Sequence, residues 1–375
     1  MDEEVPISEP GEDVARLFLE WRSPRFGKSN PERMNNPVWE WLIRSRVNGF
    51  IATEHFHGPD AFEAGPTWCF DRFGQSETKL PDGRTVFIAG EHEDSYDPDF
   101  CIYNDVVVQH PDETFDIFGY PREVFTPTDF HSATALDNRI IIIGSLGYPD
   151  DRRPNSTQVY ELSLEDFKIS RLNATGAEPG WIHKHHAELL GTAIVIGGGQ
   201  LDMGDKSIFV ENIDDWSLDL KTLRWQRLTE RKWQQWEFRR SDGKINDLWR
   251  IRSDRTMRNL GLAKKMEEEM SKLSPVIAEI MRDEPPVPDF DLTDLYRPPV
   301  LDSVMESAED EFGVFRIKVN DVIVRYVEQM HSVRMVCEGE LSPDIVSRLV
   351  TDLKSKLSSA EKTAYEAVPI GLQPH

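Results

Sequence analysis

The sequence predicts a mainly β protein, in which a four-stranded antiparallel unit occurs three times between helical segments and a small C-terminal α+β domain. Two observations predict this fold. Short apolar runs end in Gly90, Gly144 and Gly198, which are spaced by 54 residues. Around these runs apolar residues alternate with a period of two, as in half-buried strands. A fixed period near 50 residues indicates tandem structural repeats.

Each repeat contains four predicted strands in the same order. The apolar runs 85–89, 140–143 and 193–196 form the second strands, and a tight turn joins each of them to a short preceding strand. After the glycine, Tyr160 and Leu162 and their counterparts mark the third strand, and a further apolar residue marks the fourth. Each repeat is therefore predicted to be one antiparallel meander.

The third repeat carries residues that are typical of a known family. It has the glycine pair Gly197 and Gly198 after the second strand, Trp216 in the third strand and Trp225 in the fourth. With these features, residues 74–228 resemble kelch repeats, although the first two repeats lack the second glycine and the fourth-strand Trp. The resemblance implies a kelch-like β-propeller or partial propeller of four-stranded antiparallel blades. Kelch proteins include scaffolds, substrate receptors and a few enzymes, so the family implies no particular chemistry.

Three blades are fewer than the four to eight of a closed propeller. Flanking segments or self-association would have to complete the ring, or the array stays open. Because residues 37–43 are predicted to be helical, we expect an open arc. The predicted division is a partly helical N-terminal cap at residues 1–65, followed by three kelch-like blades at residues 66–230.

Three further segments follow the repeats. Residues 231–284 are predicted to be a basic, helical segment, residues 285–310 a Pro-rich linker, and residues 311–375 a small α+β module. The module combines a hairpin, a third strand and a helix that begins after Ser342. An apolar stripe on this helix predicts that it packs on the sheet. The module is predicted to serve docking or self-association.

Composition and charge exclude several classes of protein. The 67 acidic and 43 basic residues give a net charge of -24, which repels nucleic acid. The basic stretch 231–265 is followed by the acidic stretch 266–310. Docking of these opposite charges on each other explains the basic stretch more simply than nucleic-acid binding does. The widely spaced Cys69, Cys101 and Cys337 indicate a reducing compartment. Without a signal peptide or a long apolar run, the predicted location is cytoplasmic, with no membrane association.

Loop length predicts the binding surface. In a four-stranded meander, the connections between the second and third strands and those between successive repeats emerge on one side. These connections are long here, as at residues 91–104 and 145–157, whereas turns on the other side are as short as residues 137–139. Long loops on a rigid scaffold commonly carry function. We call the side with the long connections the long-loop face.

The candidate binding residues are polar and aromatic residues of the long connections, which are types that anchor protein interfaces. They are His92, Asp94, Tyr96, Asp97, Tyr148, Asp150, Arg152, Trp181, His183, Gln200 and Asp202. Together they predict a surface that recognises a protein partner.

Four segments resemble parts of metal or phosphate sites, and each of them is incomplete. Residues 55–57 and 183–186 offer paired His without a third metal ligand. Residues 91–99 lack the Gly and Glu of an EF-hand loop. Residues 199–207 resemble a phosphate loop, but Asp205 is inserted and a β-like segment follows. The sequence therefore predicts no metal, no cofactor and no catalytic residue.

The favoured hypothesis is a non-catalytic adaptor that binds a protein through the long-loop face. Two alternatives stay open. An immunity-type protein that neutralises a basic toxin fits the acidic charge. A kelch-type enzyme that acts on a sugar-like small molecule would require a buried carboxylate or His in a concave pocket.

Overall fold

The computed structural model describes residues 10–59, 65–92, 100–204, 209–259, 295–298, 304–306 and 313–370. The chain divides into two compact units, Met1–Glu230 and Arg231–His375. It is mainly β, with several antiparallel sheets. Within the described ranges no helix is both long and apolar enough to cross a membrane.

Among the described residues before the repeats there are three helices and one short strand. They are α1 (Glu12–Trp21), β1 (Glu32–Arg33), α2 (Pro37–Ser45) and α3 (Gly49–His55). The side chain of Asn36 caps α2 by accepting hydrogen bonds from the backbone N–H groups of Val38 and Trp39. The helix predicted at residues 37–43 is confirmed.

Each repeat forms one four-stranded antiparallel meander. Sheet 1 consists of β2 (Ser76–Lys79), β3 (Thr85–Ile88), β6 (Val106–Gln109) and β7 (Phe115–Gly119). Sheet 2 consists of β8 (Ser132–Leu136), β9 (Arg139–Ile143), β10 (Val159–Ser163) and β11 (Ile169–Arg171). Sheet 3 consists of β14 (His186–Leu190), β15 (Ala193–Gly197), β18 (Trp216–Asp219) and β19 (Arg224–Arg227). The predicted strands and their order are confirmed, and β8 neighbours both β2 and β14.

The long connections contain short strands of their own. These are β4 (Glu91–His92), β5 (Cys101–Ile102), β13 (Ile182–His183), β16 (Gln200–Asp202) and β17 (Phe209–Glu211). Strand β4 pairs with β5, and β13, β16 and β17 form a three-stranded antiparallel sheet. A 3-10 turn, Pro149–Asp151, lies in the corresponding connection of the second repeat. Apart from the β-like segment after Asp205, the sequence predicts loops at these positions, because two or three residues are too few to establish a period.

The outer edges of the three sheets are all covered. Strand β1 pairs with β7, and β12 (Thr175–Gly176) pairs with β19. The side chain of Asn30 pairs with the backbone of Ile169 in β11: its Nδ2 donates to the carbonyl oxygen at 2.8 Å, and its Oδ1 accepts from the N–H at 2.9 Å. These contacts reduce the backbone of the edge strands that is open to pairing with other chains.

Replacing Asn30 by Ala should lower the free energy of unfolding by about 2 kcal/mol, because two partly buried hydrogen bonds are lost. Urea unfolding of the full chain measures this. The exposed Asn155 provides a control, since Asn155→Ala should change stability by less than about 0.5 kcal/mol. Equal effects of the two substitutions would contradict the edge-capping role of Asn30.

Apolar side chains pack on both faces of sheet 1. Phe87 and Val107 contact the core that contains Trp39 of the N-terminal helices. On the opposite face, Val86 and its neighbours share a core with Ile140 of sheet 2. The alternation of strand side chains therefore places sheet 1 between the helices and sheet 2.

In the described part of the second unit there are a six-stranded sheet and two helices. The strands are β20 (Gln234–Arg240), β21 (Val304–Glu306), β22 (Val314–Val319), β23 (Val322–Glu328), β24 (Ser332–Cys337) and β25 (Tyr365–Ile370), and the helices are α4 (Asp247–Asn259) and α5 (Pro343–Ala360). The predicted hairpin at Asn320 and Asp321 is confirmed, and both residues have positive φ. Ser342 caps α5 as predicted. The buried residues of α5 are Val346, Leu349, Leu353 and Leu357.

The domain division of this part differs from the predicted one. Residues 231–284 and residues 311–375 were predicted as separate segments. In the structure β20 lies between β24 and the edge strand β25, so both segments contribute to one unit. Pairing between strands that are far apart in sequence leaves no local signal, which is why sequence analysis placed a boundary there.

Candidate binding site on the long-loop face

Acidic residues on the short-turn side are engaged in their own turns. Side-chain oxygens of Asp82, Asp112, Asp166 and Asp219 each accept a hydrogen bond from the backbone N–H two residues further on, at 3.0–3.3 Å. Such Asx turns stabilise tight connections. These carboxylates are therefore structural, and the candidate binding residues lie in the long connections on the other side.

The long connections of neighbouring repeats bind each other. The Tyr148 hydroxyl of the second repeat accepts a hydrogen bond from the N–H of Ile102 in the first repeat at 2.9 Å. The Trp181 indole Nε1 donates to the carbonyl oxygen of Leu146 in the second repeat at 2.9 Å. Three successive connections thus form one continuous surface.

Several candidate residues lie together on one face of the small β13–β16–β17 sheet. His183 pairs with Gln200, and two positions along the strand Asp202 pairs with Phe209. Directly paired residues and residues two apart point to the same face of a sheet, and Trp181 is two residues from His183. The predicted residues Trp181, His183, Gln200 and Asp202 therefore share a face.

Arg152 of the second repeat adds a cation to this face. Its Nη1 donates to Asp202 Oδ2 at 3.3 Å. Its Nε donates to the carbonyl oxygens of Leu146 and Gly147, and its Nη2 donates to the latter at 3.0 Å. The guanidinium carbon lies 5.1 Å from the centroid of the Phe209 ring, within the range of a cation–π contact.

His183 is buried without a polar partner. Its side chain belongs to a residue that is 1% exposed, and neither ring nitrogen has a hydrogen-bond partner among the described residues. The ring packs edge-on against Phe209 at 5.0 Å between centroids. Burial, followed by the charges of Lys184 and Arg152, lowers the pKa of His183 to about 3. The ring is therefore neutral at pH 7, and its unpaired nitrogens each cost about 1–3 kcal/mol.

Asp129 is a buried acid that sequence analysis did not single out. Its Oδ1 accepts hydrogen bonds from the Gly147 N–H at 2.6 Å and the Ser145 hydroxyl at 3.2 Å. Burial raises the pKa of Asp129, and hydrogen bonds with Gly147, Glu91 and Ser145 oppose this effect. In sequence, Asp129 resembles any other acidic loop residue.

The remaining candidate residues are placed differently. Tyr148 is half-buried, with its ring 5.8 Å from that of the exposed Phe100. Asp150 is exposed in the 3-10 turn, and His92 is half-buried in β4. Trp181 is 2% exposed, so it fixes the loops and does not offer its ring to a partner. Three candidates lie outside the described residues: Asp94, Tyr96 and Asp97.

Two of the other histidines connect neighbouring sheets. His131 Nε2 lies 2.8 Å from the Ser76 hydroxyl, and His185 Nε2 lies 2.9 Å from the Ser132 hydroxyl. Both pairs join the first strands of adjacent repeats. In the part of the chain that the structure describes, no three His, Cys, Asp or Glu side chains come together as a metal site.

Comparisons with known proteins add no family to this description. No protein-family model matches the sequence, and a search of curated proteins found none that is significantly similar. The class that the structure defines is a mainly β protein with three repeated antiparallel sheets and a polar and aromatic site on one side of them.

The connection within the second repeat passes very close to the connection that joins the second and third repeats. Gly144 has φ of +75°, and a Cβ atom there would lie 2.3 Å from the Ile182 carbonyl oxygen. Gly144→Ala should therefore lower the free energy of unfolding by at least about 2 kcal/mol, as measured by urea unfolding. Gly191 has φ of +63° with open space around it, so Gly191→Ala should cost only the backbone strain of about 1 kcal/mol. A smaller effect at Gly144 than at Gly191 would contradict this close approach.

Proposed function

We propose that the first unit is an open, kelch-type array of three propeller blades, and that the chain is a non-catalytic protein that binds a protein partner through the long-loop face. The regular succession of sheets 1, 2 and 3, with their first strands side by side, supports the array. In sheet 3, Ile194 and Leu218 are buried on one face, whereas Ser217 and Gln226 are partly or fully exposed on the other. A polar outer face is typical of a terminal repeat.

The observation that carries the proposed function is the joining of the long connections into one surface. This surface combines hydrogen bonds between repeats with exposed aromatic rings, since Phe73 is 61% exposed and Phe100 is 43% exposed. Exposed aromatic residues beside a polar rim are typical of protein interfaces. The immunity-type alternative uses the same face and differs only in its partner, a basic toxin.

Capture of a partner on the immobilised full chain, followed by affinity measurement with the purified partner, tests the proposal. Phe100→Ser should weaken binding at least about tenfold, which is about 1.4 kcal/mol. Leu190→Ser is a matched control, because Leu190 is 53% exposed at a short turn on the other side. Loss of binding in Leu190→Ser, with normal binding in Phe100→Ser, would contradict binding through the long-loop face.

A sugar-acting enzyme is the second candidate function, and the buried carboxyl of Asp129 favours it. Burial raises the pKa of this group, as is common for acids that transfer protons in active sites. Asp129→Asn preserves an acceptor for the Gly147 N–H. If the chain is an enzyme, this variant should lose turnover. If the chain is a binding protein, the variant should retain its partner.

A further inference from the structure

We propose that the third repeat receives an extended segment of the bound protein at Lys184 and His186, and that this segment places an acidic side chain against Lys184. We call these two residues the open junction. Both are exposed in the full chain, so a segment of another protein can reach them. The identity of the occupant rests on the proposed function, whereas the preference for an acidic side chain rests on the contacts of the open junction alone.

One row of backbone hydrogen bonds joins the three repeats. Gly74, Phe130 and Lys184 each lie two residues before the first strand of their repeat, and all three have positive φ. The Phe130 N–H donates to the Gly74 carbonyl oxygen at 2.9 Å, and the Lys184 N–H donates to the Phe130 carbonyl oxygen at 2.8 Å. The row ends at Lys184, whose carbonyl oxygen accepts no backbone hydrogen bond from the described residues. An N–H of an added extended segment can continue such a row.

A side-chain contact accompanies each bond of the row. His131 Nε2 lies 2.8 Å from the Ser76 hydroxyl, and His185 Nε2 lies 2.9 Å from the Ser132 hydroxyl. Ser76 and Ser132 begin the first strands of their repeats, and His186 begins that of the third. The third repeat therefore presents the same two groups to which the next repeat binds at the first two junctions. They are a backbone carbonyl oxygen and a polar side chain two residues later.

The side chains of the row overlap, each lying over the preceding repeat. A Cβ atom added at Gly74 would lie 2.8 Å from Phe130 Cγ, so the Phe130 ring lies directly over Gly74. Lys184 Nζ in turn lies 4.4 Å from the centroid of the Phe130 ring. A residue that donates its N–H to the Lys184 carbonyl oxygen would, in the same arrangement, lie with its side chain over Lys184.

Charge determines which side chain fits over Lys184. The ammonium group forms no ion pair with a carboxylate of the described residues, so an acidic side chain gains an ion pair there and a basic one is repelled. Glu188 is exposed on the same face of β14 as His186, two residues further on. It disfavours a second acid at that end. The neighbouring residue of the segment should therefore be neutral and polar, as in the Ser–His contacts of the first two junctions.

Nuclear magnetic resonance of the full chain tests the open junction with the acetylated and amidated tetrapeptide Val-Glu-Thr-Val as the probe. This peptide offers an extended backbone, one carboxylate and a neighbouring hydroxyl. It should shift the Cε1 signal of His186, which is assigned by its absence in His186→Gln. The same peptide with Lys in place of Glu should bind at least about tenfold more weakly, because it carries the same charge as Lys184. No shift at His186, or equal affinities of the two peptides, would overturn the proposal.

Variants at Lys184 separate a charge effect from a change in folding. Lys184→Glu should reverse the preference between the two peptides, and Lys184→Arg should keep it. Lys221→Glu is a matched control, because Lys221 is exposed at a short turn of the same repeat and should not affect the preference. A preference for the acidic peptide that survives in Lys184→Glu would contradict the role of Lys184.

Affinity for the captured partner tests the occupant. Lys184→Glu should weaken partner binding at least about tenfold, whereas Lys221→Glu should leave it unchanged. Weakened binding in Phe100→Ser with normal binding in Lys184→Glu would overturn the inference and leave the proposed function intact. Peptide binding at the open junction, with normal partner binding in both Phe100→Ser and Lys184→Glu, would contradict the proposed function and leave the acidic preference intact.

Discussion

Arg72→Met should lower the free energy of unfolding of the first unit by about 3–5 kcal/mol, because it leaves Asp105 charged and buried. Both termini of the Arg72 guanidinium bind the Asp105 carboxylate. The guanidinium also donates to the carbonyl oxygens of Cys69 and Ala89, at 2.7 and 3.0 Å. The Trp68 indole donates to the same carboxylate at 2.7 Å. Urea or thermal unfolding of the full chain measures the loss.

Two further variants separate this buried pair from an ordinary ion pair. Arg46 pairs with Asp71 at the surface, where Arg46→Met should cost less than about 1 kcal/mol. Combining Arg72→Met with Asp105→Leu should destabilise less than Arg72→Met alone, because no charge is left buried without a partner. Similar losses in Arg72→Met and Arg46→Met would contradict the role assigned to Arg72.

Lowering the pH from 7 to 5 should destabilise the first unit by about 2 kcal/mol for each of three buried histidines. Burial is the main cause that lowers the pKa of His131 and His183 to about 3 and that of His185 to about 4. In the unfolded chain these rings have their ordinary pKa of 6.5, so at pH 5 they are protonated while the native rings stay neutral. The stability that these three neutral rings contribute is therefore fully present above pH 6.5, and it is lost as the pH falls towards 3–4.

Unfolding in urea at pH 7 and at pH 5 measures this effect. His131→Gln should reduce the difference between the two pH values by about 2 kcal/mol, because one proton-linked group is removed. His186→Gln, at an exposed position, should leave the difference unchanged. Asp129 acts in the opposite direction, since its raised pKa favours the native state as the pH falls. A stability that does not depend on pH in this window would contradict the burial of the histidines.

The fold was predictable wherever local pattern determines it. The 54-residue spacing of Gly90, Gly144 and Gly198 and the alternation of apolar residues gave the three meanders and their strand order. The hairpin at 320–321 and the capping Ser342 likewise depend on neighbouring residues. Strand β20 and the pairing of Asn30 with Ile169 depend on distant partners, which no local pattern reveals.

The candidate site was predictable in residue type but not in detail. Loop length and polarity predicted Arg152, His183 and Asp202 as binding residues, and the structure places them together. Burial could not be foreseen, because Trp181 looks the same in sequence whether it faces solvent or Leu146. Asp129 was missed for the related reason that its shifted pKa arises from tertiary burial.

Hydrogen exchange of the full chain, with and without its captured partner, tests most directly whether the long-loop face is the binding surface. Binding should slow amide exchange in residues 100–104 and 144–153. Exchange in the short turns at residues 82–84 and 137–139 should stay unchanged. Protection confined to those short turns, with no change in the long connections, would contradict the account.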